Sequence, residues 1–394
     1  MPMKRKIFIS AAASPLLAPA VVGAAAQRSP QTGDGEPRPR EISRADVRRV
    51  IAENQRIVAP RGIEELQSIE VNGCTQWLSI LGRDRRNPVL LYLHGGPGSP
   101  TMPEAWTFQR PWEDYFTVVQ WDQRGAGKTY ASNDPQTIAP TMTAEQMIAD
   151  TEYVVAYLLR HLDKRKLFAL GHSWGSFLGL ELARRHPDWL HAYVGTGQMI
   201  DSQRSEADGY EFALEQARID KNAKAVRELE ALAPYPGPIG TLTVDRIGAQ
   251  RAWVIYYGGL TYRRRSFDYD SNAWKLSPLY SDRDLSLTDK GSLFSLNHLL
   301  GVVERTNFES VGELQCPLFI FQGKHDYETS WSVVNQWFTR VRAPRKGFVT
   351  FEESAHMGML EQPGDYLREL VNLVRPIAVE RGDGAPPGVR ARFS

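Results

Sequence analysis

Cysteine is scarce. Cys74 and Cys316 are the only two in 394 residues, which allows at most one disulfide and excludes a cysteine-built metal centre. Free cysteine behaves as a small hydrophobe, so two separate buried thiols are expected. Net charge is also nearly absent: 47 basic residues stand against 46 acidic ones, a formal charge of +1. No general field therefore draws the chain to nucleic acid. Internal repeats are missing, and beyond the first 26 residues no apolar run is long enough to cross a membrane. With 42% hydrophobic and 24% charged residues, the remainder has globular composition, enough for a large core carrying an inserted module.

The first 26 residues stand apart. Lys4-Arg5-Lys6 is a basic start, Ile7 to Ala26 is apolar and uncharged, and Ala24-Ala25-Ala26 supplies small residues for cleavage before Gln27. This is the layout of a secretory signal peptide. It predicts export to the periplasm or the medium, with no stable membrane span once the leader is removed. Lys6 stands where a twin-arginine signal has its second arginine, so the export route stays open. Residues 27–42 are polar and rich in Pro and Gly, as linkers are, and 379–394 read as a flexible tail.

Between these ends the chain alternates strand and helix patterns. "LQSIEVNG" and "TQWLSILG" predict a hairpin around Asn72-Gly73. The short apolar runs "NPVLLYLHGGPG", "YFTVVQWDQRG", "KLFALGHS" and "HAYVGTG" predict buried parallel strands, and "CPLFIFQGKHD" and "KGFVTFEESAH" extend the series. Met147, Ile148, Val154, Val155, Leu158 and Leu159 recur at helical spacing. Residues 198–310 are instead charged and helical in pattern. The fold expected is α/β: a mostly parallel central sheet with helices on both faces and an inserted helical cap. Its parts would be 43–197 and 311–378 for the core and 198–310 for the cap, seated over the strand ends where open α/β sheets bind ligands.

One stretch carries chemistry. In "LFALGHSWGS" a strand runs into Gly171-His172-Ser173-Trp174-Gly175 and then a helix, the setting of a nucleophile elbow. A serine hydroxyl needs a base, and in this topology acid and histidine follow in that order after late strands. Asp326 follows "LFIFQGKH" and His356 follows "FVTFEESA". His356 would take the Ser173 proton while Asp326 orients and stabilises the imidazole. Backbone donors for an oxyanion would be the Trp174 N–H and the Gly96 N–H of "HGGPG", with Gly95 as the alternative. Nothing in the sequence calls for a metal or cofactor. The expected partner is a small molecule or short peptide, and no oligomeric state is legible.

"HGGPG" (94–98), "WDQRGAGKT" (121–129) and "GHSWGS" (171–176), with "GKHD" and "SAHMGMLEQP", resemble the proline iminopeptidase family of α/β-hydrolases. The resemblance implies a cofactor-independent serine peptidase that removes N-terminal proline from peptides. It also implies that Asp122 and Arg124 form a supporting charge pair. Family members bind the substrate amine with two cap acids. At the matching positions this chain has Tyr257, near Trp253, and Leu296. Glu206, Glu211, Asp268 and Asp270 are other cap acids that could replace them. Two enzymatic readings follow: an exported aminopeptidase of that type, or an esterase or amidase for a neutral small molecule, favoured by the aromatic cap stretch Trp253, Tyr256, Tyr257 and Tyr262 and the missing acids, with Tyr257, Leu296 and Trp253 as candidate substrate contacts. A binding protein without catalysis is disfavoured by the intact serine, acid and histidine.

Overall fold

Asn72 and Gly73 both adopt positive φ (47° and 74°), the turn that joins β1 (Ile63–Val71) to β2 (Cys74–Gly82) in antiparallel register. The structure, a computed structural model, describes residues 41–385; the expected signal peptide, nearly all of the linker and the end of the tail lie outside them. The strands that follow are β3 (Val89–Leu93), β4 (Thr117–Asp122), β5 (Leu167–His172), β6 (Leu190–Thr196), β7 (Leu318–Gly323) and β8 (Lys346–Phe351). They form one sheet in the order β1-β2-β4-β3-β5-β6-β7-β8. β2 meets β4 antiparallel, and every pairing from β4 through β8 is parallel.

The continuous apolar runs are explained by burial on both faces. Successive residues of a strand point to opposite sides. Leu91, Leu93 and Ala169 join one core cluster with Val154, Leu158, Leu178 and Trp337. Leu90, Tyr92, Phe168 and Leu170 join the other with Trp112, Tyr366 and Leu370. The helix Ala144–His161 starts where Thr143 caps the Gln146 N–H. Cys74 and Cys316 are both buried and unbridged, as expected.

Between β6 and β7 the chain leaves the sheet for helices Ser202–Ile219, Ala223–Glu230, Val244–Tyr256, Asp268–Lys275 and Asp282–Arg305. Asp201 and Asn307 bridge where it departs and returns. This insertion has a small core of its own around Ala213, Leu229, Val254 and Leu260.

Two expectations are corrected. Arg124 does not pair with Asp122: its guanidinium turns to Asp150 on the helix Ala144–His161, at 2.8 Å. Asp122 instead accepts from the Lys128 N–H at 2.7 Å and from the Tyr280 hydroxyl. The tail is also not loose from 379, because Asp383 accepts from the nearly buried His191 at 2.9 Å and pairs with Lys164. Those two contacts fix the chain as far as that residue. Among the described residues no helix is long and apolar enough to cross a membrane.

Candidate active site

β5 ends at His172, and the helix Trp174–Arg185 begins two residues later. Ser173 takes the turn alone, at φ 54° and ψ −122°, a conformation that costs a non-glycine residue of order 1–3 kcal/mol. Neighbouring glycines make this possible. A Cβ on Gly175 would stand 1.9 Å from the Leu93 carbonyl oxygen, and one on Gly171 would stand 2.5 Å from that of Gly175. The helix start therefore rests directly on the end of β3. As first residue of that helix, Trp174 has an N–H with no intrahelical acceptor.

The "HGGPG" loop closes on the same point. A Cβ on Gly95 would be 3.1 Å from the Ser173 Cβ, and Gly95, Gly96 and Ser173 line one cavity. Gln123 holds loop and elbow together: its amide donates to the His94 carbonyl at 3.0 Å, and its oxygen accepts from the Trp174 indole at 3.1 Å. The DQRG block thus braces the oxyanion region through its glutamine, a role the sequence motif does not reveal.

Beyond β7, Asp326 is 1% exposed and surrounded by donors. One oxygen accepts the N–H groups of Glu328 and Thr329, each at 2.9 Å. The other accepts from Gln322 at 2.7 Å, the Thr329 hydroxyl at 2.9 Å and His356 Nδ1 at 2.8 Å. Gln322 and Thr329 were not legible as site residues, since nothing in local sequence marks their reach. His356, after β8, is left with Nε2 as the nitrogen that can take a proton. Burial opposes its charge, but the Asp326 carboxylate beside it raises the imidazole above its ordinary 6.5. Two other buried histidines lie close by. His172 donates to the His356 carbonyl at 3.1 Å, and burial together with the His356 charge holds it well below its ordinary value. His94 bonds the Gly95 carbonyl at 2.9 Å and is lowered to about 4 by burial.

Ser173 and His356 open into a cavity of about 550 Å³ roofed by the cap. Phe267, Leu293, Leu296, Leu260, Met199 and Met357 supply apolar wall. Five acidic residues interrupt it, Asp289 and two groups of two. In the first, Glu206 and Glu328 flank Arg251 at 2.7 and 3.0 Å, and Tyr235 donates to Glu206 at 2.6 Å. In the second, Glu104 accepts the Trp274 indole N–H at 2.9 Å, and Asp270 stands near it, 6% exposed, with neither oxygen hydrogen-bonded. Burial and the Asp270 charge push Glu104 well above the carboxylate range, and burial pushes Asp270 up to about 6.

Of the substrate-side residues named from sequence, Leu296 lines this cavity, as do Glu206 and Asp270; Glu211 and Asp268 do not. Tyr257 and Trp253 are corrected. They pack with the cap's own core, stacked on each other at 6.2 Å, and the Trp253 indole donates outward to Glu228. Their end of the cap helix needs apolar cover more than the cavity does. Glu104, nine residues after the first glycine of "HGGPG", carries no motif that would mark it in the sequence.

A model of the alpha/beta hydrolase fold matches residues 88–363. A probable aminopeptidase of Bacillus subtilis, YbaC, is 32% identical over 312 residues, covering 79% of this chain and 96% of that protein. The proline iminopeptidase of Neisseria gonorrhoeae is 36% identical over 108 residues, 27% of this chain and 32% of that one. The crystal structure of a Mycobacterium smegmatis proline iminopeptidase superposes with a TM-score of 0.59 at 17% identity, covering 80% of this chain and all of that one, a likeness of fold.

Proposed function

Because the chain belongs to the α/β-hydrolase fold family, among the homologues of proline iminopeptidase, we propose that it is a serine hydrolase releasing N-terminal residues from short peptides through an acyl-enzyme on Ser173. The observation that carries the reading is the 2.8 Å bond from His356 to Asp326 beside the cavity that Ser173 enters. Ser173 Oγ attacks the scissile carbonyl while His356 Nε2 takes its proton. The N–H groups of Trp174 and Gly96, or Gly95 in its place, hold the oxyanion. His356 then protonates the leaving amine, and water repeats the sequence to free the acid. Export by way of residues 1–26 belongs to the same proposal.

The second acidic group supports an amine-bearing substrate over a neutral one. Arg251 pairs with Glu206 at 2.7 Å, whereas neither Asp270 oxygen is hydrogen-bonded and Arg264 acts on it only through its charge. A buried carboxylate without a partner is costly unless a cation arrives. Burial raises both carboxyls, Asp270 up to about 6, so an ammonium beside them would stabilise their charged forms. The apolar wall around Leu296 and Phe267 is what favours the second reading, an esterase or amidase acting on a neutral molecule.

Hydrolysis of L-proline anilide and of its N-acetyl form, with Ser173→Ala as control, separates the two. Cleavage of the free amine alone, abolished in the variant, is expected. Turnover of an aryl ester through Ser173 with neither anilide cleaved would replace the aminopeptidase reading by the second.

A further inference from the structure

The strand ladder stops short of the proposed acid and base. β7 and β8 pair as far as Gly323 and Phe351, and Asp326 and His356 lie beyond on separate loops. Those loops touch each other through the His325 N–H and the Ser354 carbonyl, at 2.9 Å. The Lys324 N–H adds a tie to the Phe351 carbonyl at 2.9 Å, His172 holds the His356 carbonyl, and further ties come from the cap. After the helix Val244–Tyr256 the chain dips toward the sheet, where the Gly259 carbonyl accepts the Tyr327 N–H at 2.9 Å and the Leu260 carbonyl accepts the His356 N–H at 3.1 Å. Consecutive cap residues thus hold the neighbour of the acid and the base itself.

Glu361 fastens the same segment from the other side. One of its oxygens accepts the Tyr262 N–H. The other accepts the Ser354 hydroxyl at 2.6 Å and the Ala355 N–H at 2.8 Å, the two residues before His356. The Tyr262 ring stacks on His325, next to Asp326, with centroids 4.5 Å apart. Three side-chain or backbone ties therefore run from one short cap segment to both loops.

We propose that cap residues 258–262, with Glu361, form a bracket that positions His356 against Asp326 and Ser173, so that the cap governs the chemical step as well as entry to the cavity. The inference rests on the Ser173, His356 and Asp326 reading. Glu361 and Leu260 are positioning residues, acting through loops they hold. The physical reason is that small misplacement of a reacting group is expensive in rate, of order 10²-fold for about 1 Å. Reaching both loops from an insertion lets the cap's seating set that geometry.

The test is the rate at which a small alkyl fluorophosphonate labels Ser173, with kcat and KM for an aryl acetate measured alongside. Glu361→Gln sets an amide N–H₂ against one set of donors. It is expected to slow labelling about 10–100-fold and to lower kcat while leaving KM within about twofold. Glu361→Asp should recover part of the loss. Tyr262→Ala, a milder change that keeps the backbone bonds, should slow labelling several-fold and covers the case in which Glu361→Gln does not fold. Wild-type labelling rates in folded Glu361→Gln, or in Tyr262→Ala where the former does not fold, overturn the bracket. A wild-type protein that is not labelled at Ser173 overturns the nucleophile reading and the bracket with it.

Discussion

Trp274 donates its indole N–H to Glu104 at 2.9 Å, joining a cap helix to the loop that follows β3 at the edge of the cavity. The same helix carries Asp270, and Trp106 of the core loop donates to the Ala273 carbonyl at 3.1 Å. Core and cap therefore meet at a carboxylate pair in the cavity wall.

If that pair receives the substrate amine, Asp270→Asn and Glu104→Gln should each raise KM for a free-amine anilide. The expected change for Asp270→Asn is roughly 30-fold or more, the loss typical of breaking a desolvated charge pair, and that for Glu104→Gln is smaller because its carboxyl is raised well above the usual range. An aryl acetate should be hydrolysed at nearly the wild-type rate by both. The pH dependence has a definite sign: below about 6 Asp270 takes up a proton and loses its attraction for ammonium, so KM rises toward acid. Steady-state kinetics between about pH 5 and 8 should show that rise in wild type and not in Asp270→Asn.

The corrected placement of Tyr257 has its own consequence. Tyr257→Phe should leave kcat and KM unchanged for any substrate, since the side chain packs within the cap. Leu296→Ala, on the cavity wall, should shift KM instead. The reverse pattern in a kinetic comparison would return Tyr257 to the substrate.

Asp150 is wholly buried and accepts from Arg124, Gln76, Asn72 and Gln146. Replacing it with Ala strands the Arg124 guanidinium, itself 1% exposed, inside the core. Denaturant unfolding should report a loss of about 3–5 kcal/mol.

Asp122, facing Tyr280, Lys128 and Asp284, is pushed up to about 7 by burial. A carboxyl that binds its proton more tightly when folded contributes stability that is complete below the ordinary 3.8 and lost as pH rises through about 7. The slope is roughly 1.4 kcal/mol per pH unit in that window. Asp122→Asn keeps an acceptor for the Lys128 N–H and should flatten the slope in thermal unfolding. Glu113, also raised to about 7 by burial, should leave part of it in place.

Much of this was legible along the chain. Strands buried on both faces must be continuously apolar, so β3 to β7 announce themselves. The Asn72-Gly73 turn and the elbow glycines do so too, because each meets a local steric demand that few residues satisfy. Ser173, Asp326 and His356 could be named because each follows a recognisable strand. Arg124 misled because proximity in sequence does not tell which way a long side chain turns.

Sequence by itself determined the sheet, the elbow and the order of serine, acid and histidine, all set by short-range pattern and steric fit. Tertiary structure alone decided which carboxylates enter the cavity. Glu104 and Asp270 are 166 residues apart, and Glu206 and Glu328 both reach Arg251 only because three segments converge there. Charge compensation depends on distance through space, and a linear pattern does not carry that information.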